Sequence, residues 1–321
     1  MKQVQLGTTG LAVSEIFFGA GSIGGIGSAP SRIGLGMKTD EALERLDEAY
    51  EVGIRVIDTA NSFAGGESER VVGRWREERE REDVLIATKV GNVVERGQET
   101  ISLSADHIER QLAASHSRLG KIDLYLTHAP DSRTPLEETL TALARAIDEG
   151  QITAFGCSNL TVHDVEAVLL AADRAGLPRP GWIQNRFNLL KLDDERDLLP
   201  LIAGEGLGYT PFSPLAGGLL SDRYLDFEVE PPAGSRLELA PGMYSALRTE
   251  RNTDRVAALG LLAQEREVSI AALAIAWLRW HPFVTAPIVS PRRTEQWDAV
   301  TEALDVGLDD EFAEKIAAIF R

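Results

Sequence analysis

The chain has 321 residues, 44% of them hydrophobic and 26% charged, a composition that excludes disorder as the main state and suits one folded domain over residues 1–321. Its formal net charge of −17 argues against a nucleic-acid footprint and against a polybasic membrane anchor, so any anionic ligand needs a local basic pocket. Cys157 is the only cysteine, which leaves no intramolecular disulfide and no cysteine-cluster metal site, and neither a signal-peptide core nor a membrane-length apolar run occurs; a cytoplasmic protein is expected.

Short apolar runs alternate with amphipathic helical patterns almost from end to end. Strands are expected at 14–19, 55–58, 84–88, 124–128, 152–157, 182–184, 208–212 and 284–288, each brief and apolar, as in a parallel sheet buried on both faces. The first helical pattern, "TDEALERLDEAYEVG" (39–53), puts Ala42, Leu46, Ala49 and Tyr50 on one face, with Thr39 able to cap it. Others run over 104–120, 134–150 and 161–176. Gly53, Gly120, Gly150 and Gly176 close the four patterns as C-cap glycines. Eight strand–helix units in one chain of this length point to the α/β class and a (β/α)8 TIM barrel. Two irregular stretches, 19–38 and 221–250, follow expected strands. They therefore belong at the C-terminal mouth of the barrel, where active sites form.

One motif misleads. "GAGSIG" (19–24) fits the dinucleotide pattern G-x-G-x-x-G after a strand, but that pattern works only when a helix starts within it and presents its amides to pyrophosphate. Here more glycine follows, then "SAPSRIGLG", and no second strand ends in an acid about 20 residues later, as the motif requires. A mouth loop is the better reading.

Three expected strands end in polar side chains: Asp58, Lys89 and His128. A lysine directly after a largely apolar run is costly unless paired, and Asp58 on the neighbouring strand is its natural partner. Each residue alone could be structural, an ion pair on the rim and a satisfied core histidine. Together, at successive strand ends on the catalytic face, they point to chemistry.

These residues lie in segments that resemble the aldo-keto reductases. "LGTTGLAVSEIFFGAG" is similar to the family's N-terminal β-hairpin and first strand, and "DTANSFAGGESERVVG" to its D-T-A-x-x-Y-G-x-(G)-x-S-E segment. "ATKVG", "IDLYLTHAPD", "GCSN", "FSPLAGGLL" and "PIVSPRRTEQW" follow in the family's order and spacing. The resemblance implies NADPH-dependent reduction of an aldehyde or ketone, or oxidation of the alcohol. It also implies a catalytic set of Asp58, Lys89 and His128, with Phe63 where the family carries its proton-donating tyrosine. A phenyl ring keeps the shape and loses the donor, and general acid catalysis is typically worth about 10²–10⁴-fold. Three accounts of Phe63 stand open. It is a deliberate replacement of tyrosine; or His128, or a water held by His128 and Lys89, supplies the proton; or the protein is a non-catalytic NADP(H)-binding sensor or scaffold.

By the same resemblance, Ser158, Asn159 and Gln184 hold the nicotinamide carboxamide and Phe212 stacks on its ring. Ser213, Leu215 and Gly217 offer backbone near the pyrophosphate, with Arg223 adding charge. Ser290, Arg292 and Gln296 suit the 2′-phosphate of NADP at a helix start. The segment departs from the family's usual I-P-G-x-R, with Val289 and Ser290 in place of proline and glycine, and Val300 stands where asparagine often contacts adenine. Ile23, Ile26, Ile33, Leu35, Met37, Tyr224, Phe227, Met243 and Tyr244 on the mouth loops either line an apolar substrate site or pack beneath the loops. The expected partner is a small carbonyl or alcohol; the sequence carries no indication of oligomeric state.

Overall fold

In a computed structural model, which describes residues 1–95 and 98–321, eight parallel strands line up side by side and curl until the two edges meet. They are β1 (Phe17–Gly19), β2 (Val56–Asp58), β3 (Leu85–Val90), β4 (Leu124–Thr127), β5 (Ala154–Ser158), β6 (Trp182–Gln184), β7 (Gly208–Tyr209) and β8 (Ile288–Val289). β1 pairs with β2, each later strand up to β7 pairs with the one before it, and β8 pairs with β1. The seam between β7 and β8 closes through Thr285 N donating to Tyr209 O at 2.8 Å and Ile288 N to Pro211 O at 2.9 Å. This is the (β/α)8 barrel the sequence pattern predicts.

Side chains alternate across each strand, so one set fills the barrel and the other faces the helices. Phe17, Val56, Ala87, Leu124, Leu126, Ala154, Trp182 and Ile288 form the inner cluster. Phe18, Ile57, Ile86, Tyr125, Phe155 and Ile183 pack in the outer layer. The hairpin of Gln3–Gln5 and Ala12–Ser14 stops the N-terminal end, adding Leu6 and Val13 to the inner cluster. Gly7 at its turn has φ +49, and a Cβ there would lie 2.1 Å from Gly181 O. Only glycine lets the stopper seat this closely.

The four helices expected from the sequence form to within two residues, as α1 (Thr39–Val52), α3 (Ala105–Leu119), α4 (Leu136–Asp148) and α5 (Val162–Ala175), and α2 (Glu67–Glu78) is a helix the sequence reading did not include. The N-cap of α1 is Lys38 rather than Thr39, and Lys38 N donates to Glu41 Oε2 at 2.9 Å. Thr161 caps α5 as a threonine should, accepting from Asp164 N at 3.2 Å.

The strands differ more from expectation. Residues 14–19 are not one strand, because Ser14 Oγ donates to Ile16 O at 2.8 Å and turns the chain between hairpin and barrel. The seventh strand stops at Tyr209, where Pro211 removes a ladder donor, although Arg186 and Phe212 still form an isolated parallel bridge. The eighth begins only after Pro287. An antiparallel pair, Asn92–Glu95 with Gln98–Ile101, rises from the mouth where the sequence suggested nothing regular. Residues 20–38 form no helix within "GAGSIG" but a loop held by bridges Ile23↔Met37 and Gly25↔Ile33. Among the described residues, no helix is long and apolar enough to cross a membrane.

Candidate active site

The same alternation that packs the barrel delivers its polar residues. Val56 is followed two places on by Asp58, Ala87 by Lys89, Leu126 by His128 and Trp182 by Gln184. Each lies at the C-terminal end of its strand and on the inward face.

Lys89 Nζ donates to Asp58 Oδ2 at 2.6 Å and to Thr59 O at 2.8 Å. Only 2% of Lys89 and 5% of Asp58 is exposed, so the pair is sealed. Burial pulls the Lys89 pKa below its ordinary value, and the Asp58 carboxylate pulls it back. Asp58 is itself fixed from across the barrel, where Gln184 Nε2 donates to Oδ1 at 3.0 Å. On the outer face of β3, Thr88 donates to the fully buried Glu69 at 2.5 Å, and Arg118 Nε meets the other Glu69 oxygen at 2.6 Å. The strand that carries Lys89 is thus clamped from both sides. Sequence reasoning missed Glu69, although it stands within the "SER" of the quoted loop.

His128 sits beside this pair. Burial and the Lys89 charge push its pKa down to about 3, so the imidazole is neutral near pH 7. Its Nδ1 is buried with no hydrogen-bond partner among the described residues. Its backbone is held by Val90 O at 2.8 Å and by Asn159 Nδ2 on its carbonyl at 2.8 Å.

Phe63 opens a 3-10 turn, Phe63–Gly66, before α2. Its ring meets His128 edge-on, with centroids 5.8 Å apart and planes at 78°, and Lys89 Nζ lies 5.3 Å from the ring centroid. Gly21 supplies the opposite wall: a Cβ there would be 3.3 Å from the phenyl edge. Asp58, Phe63, Lys89, His128 and Gln184 therefore converge at one point in the mouth.

Ser158 and Asn159 join them. Ser158 Oγ donates to Gln184 O at 2.7 Å, and Asn159 takes a left-handed φ of 61° that turns its side chain back toward His128. Phe212 lies under the Arg186 guanidinium at 5.8 Å, and Ser213 Oγ is 2.8 Å from Tyr244 Oη. The Leu215–Gly218 turn passes so close to Tyr244 that a Cβ on Gly217 would be 2.6 Å from its ring. Ser290 Oγ donates to Gly19 O at 2.6 Å. Gln296 Oε1 accepts from Arg292 N at 2.7 Å and Arg293 N at 3.2 Å, while Arg292 Nη2 reaches Gly234 O at 2.7 Å.

The sequence did not single out Arg236. It donates to Ser22 Oγ and so joins the two long mouth loops. Burial depresses its pKa, and the charges of Arg292 and Arg32 add to that; Arg292 is depressed by burial and by Arg293 and Arg223. Among the described residues none of these five arginines pairs with a carboxylate. Of the two readings open for the apolar mouth residues, packing beneath the loops holds for Ile23, Ile26, Met37, Tyr224 and Tyr244, which are buried, while Ile33, Leu35 and Phe227 are exposed. Loops this irregular need a core of their own to hold shape.

The profile of the aldo/keto reductase family matches residues 15–321. The chain belongs to the aldo/keto reductase family. Among its relatives, a probable voltage-gated potassium channel subunit beta of Oryza sativa subsp. japonica is 32% identical over 99% of this chain and 96% of its own. An aryl-alcohol dehydrogenase [NADP(+)] of Phanerodontia chrysosporium is 31% identical over 94% of this chain and 81% of its own. An NADH-specific methylglyoxal reductase of Escherichia coli is 29% identical over 97% and 95%. An oxidoreductase acting on carbonyl compounds is what the family and its named reductases support.

Proposed function

We propose that this protein is an NADP(H)-dependent reductase of small aldehydes or ketones, able to oxidise the corresponding alcohols. The sealed Lys89–Asp58 pair at 2.6 Å, beside a neutral His128 at the barrel mouth, is the observation that carries this reading. Structure alone has little use for a buried ion pair, which costs desolvation that its attraction only repays with good geometry.

The residues fit the cofactor. Arg236 and Arg292 feel the charges of Arg32, Arg223 and Arg293, and none of the five has an acid partner among the described residues; in a chain with 50 acids against 33 bases this favours a site for a multiply charged anion. Arg292 and Arg293 would take the 2′-phosphate, Arg223 and Arg236 the pyrophosphate, Ser158, Asn159 and Gln184 the carboxamide, and Phe212 the ring face, while the Ser290 hydroxyl is already given to Gly19 O. When bound, the cofactor supplies a hydride to the carbonyl carbon. Lys89 then places a fixed positive charge near the oxygen that becomes negative, in a site dry enough for that charge to matter. His128 orients that oxygen as a neutral N–H donor. Phe63, at the place of the family's tyrosine, gives no proton.

The named relatives include both an NADH-specific and an NADP(+) enzyme. The unpaired arginines favour NADP(H) here. Phe63 and the channel-subunit relative favour one alternative, a cofactor-binding sensor or scaffold. The test is to titrate NADPH and NADH by fluorescence and to follow NADPH oxidation with a panel of aldehydes and ketones. Binding without turnover, also after Phe63→Tyr, selects the alternative; no binding ends both readings.

A further inference from the structure

The two arginines given to the 2′-phosphate sit on a segment that is tied at both ends. At its start, Ser290 Oγ donates to Gly19 O of β1 at 2.6 Å. At its far end the 3-10 turn Thr294–Gln296 leads into the helix Trp297–Asp305. There Thr294 and Trp297 both donate to one carboxylate, that of Glu48 on α1. Thr294 Oγ1 reaches Oε1 at 2.9 Å, and the indole N–H of the buried Trp297 reaches Oε2 at 2.6 Å. Arg45, one turn earlier on α1, holds the same carboxylate, with Nη2 donating to Oε1 at 2.9 Å and Nε 2.6 Å from Oε2. Each Glu48 oxygen thus serves one arginine nitrogen and one donor of the turn, and Arg45 balances its charge. Between the two residues that Glu48 grips lies Gln296, whose Oε1 accepts from Arg292 N and Arg293 N. One short helical turn therefore links Glu48 to the backbone of both arginines. Those arginines do not hold the turn themselves, since the charges of Arg293 and Arg223 oppose that of Arg292.

We infer that Glu48 is a positioning residue for the phosphate subsite, fixing the turn that sets Arg292 and Arg293 and so maintaining a preference for NADP(H) over NAD(H). The inference rests on the cofactor reading above and touches no step of the chemistry. A phosphate gains most from two guanidinium groups that are already in place, because ordering them on arrival subtracts from the affinity. NAD(H) carries no 2′-phosphate and makes no use of that order. The Glu48 carboxylate, balanced by Arg45 and spent on the turn, acts only through these contacts.

The experiment titrates NADPH and NADH by fluorescence into the unmodified protein and four variants: Glu48→Ala, Thr294→Val, Arg292→Ala/Arg293→Ala, and that double variant carrying Glu48→Ala as well. Glu48→Ala leaves Arg45 with Glu44 at 3.3 Å, so no cation is stranded. It should weaken NADPH about tenfold, the worth of one hydrogen bond, and leave NADH within about twofold. Thr294→Val removes a single bond at an exposed position, so it keeps the fold whatever Glu48→Ala does. It should give the same selective loss at about threefold. Without the two arginines, Glu48→Ala should change NADPH affinity less than about twofold, because its route to the phosphate is gone. A merely structural role would lower the urea midpoint and weaken both cofactors alike, leaving their ratio unchanged. That result overturns the inference, as does unchanged NADPH affinity in both single variants. So does a full tenfold loss, by the same measure, from Glu48→Ala in the background without arginines. An unmodified protein that binds both cofactors equally instead removes the phosphate subsite beneath the inference, and one that binds neither removes the cofactor reading altogether.

Discussion

Replacing Phe63 by tyrosine adds one oxygen at the centre of the site and should raise carbonyl reduction. The ring already faces Lys89 at 5.3 Å and His128 at 5.8 Å, so the hydroxyl enters among groups that can satisfy it and little stability should be lost. The nearby ammonium lowers a phenol's pKa toward that of a useful acid. A positioned general acid contributes about 10²–10⁴-fold, which is about 2.7–5.5 kcal/mol of barrier. The gain should therefore be at least about 10²-fold. It should appear in kcat rather than KM, because the phenol acts on charge that exists only in the transition state. The assay is NADPH oxidation over the aldehyde and ketone panel, with NADPH affinity measured in parallel. No gain on any substrate, with affinity intact, would refute the assignment of Phe63 to the acid's place.

Three further perturbations probe the surroundings. Asp58→Asn leaves a buried ammonium without its carboxylate and should cost about 3–5 kcal/mol in urea unfolding, with Lys89→Met on the same chain recovering part; an unchanged midpoint would show that the pair is not sealed. Arg292→Ala should weaken NADPH by about 1.5–3 kcal/mol and leave NADH nearly unaffected, as read by fluorescence titration; equal losses would mean that the charge does not read the 2′-phosphate. His128 is neutral in the native protein down to about pH 3 but titrates near pH 6.5 when unfolded, so the unfolded chain binds more protons in that window. Stability should therefore fall as pH drops from about 6.5 toward 3, His128→Asn should flatten that part of the profile, and an NMR titration of His128 at an ordinary pKa would contradict it.

The helices were legible because their signals are local. Apolar positions at Ala42, Leu46 and Ala49, and glycines at 53, 120 and 176, act within one or two turns of the residues they fix, although the cap of the first helix falls on Lys38 and not on Thr39. Strand limits were less legible because they depend on partners. Ser14 ends a hairpin strand through its own side chain, and the seventh and eighth barrel strands are shortened by prolines that matter only where a ladder donor is needed. The antiparallel pair beginning at Asn92 carries no turn signal strong enough to separate it from an ordinary loop.

The site divides in the same way. Asp58, Lys89 and His128 were visible because a polar residue at the end of an apolar run violates the pattern around it, and such violations collect where function outweighs stability. Their supports were not visible. Glu69 reads as one more helix-start acid until Thr88 and Arg118 are found on its two oxygens. The mouth arginines illustrate the limit best. Arg223 and Arg292 were marked by the resemblance, but Arg32 and Arg236 look like surface charge in sequence; among the described residues most other arginines pair with an acid, as Arg55 does with Asp83 and Arg179 with Asp173 and Glu205. What marks the mouth set is the missing acid, a relation between residues up to about 260 positions apart that no local pattern encodes. Burial and the neighbouring charges hold the pKa values of Arg236 and Arg292 below the ordinary value, and only the folded mouth brings those charges within reach of one another.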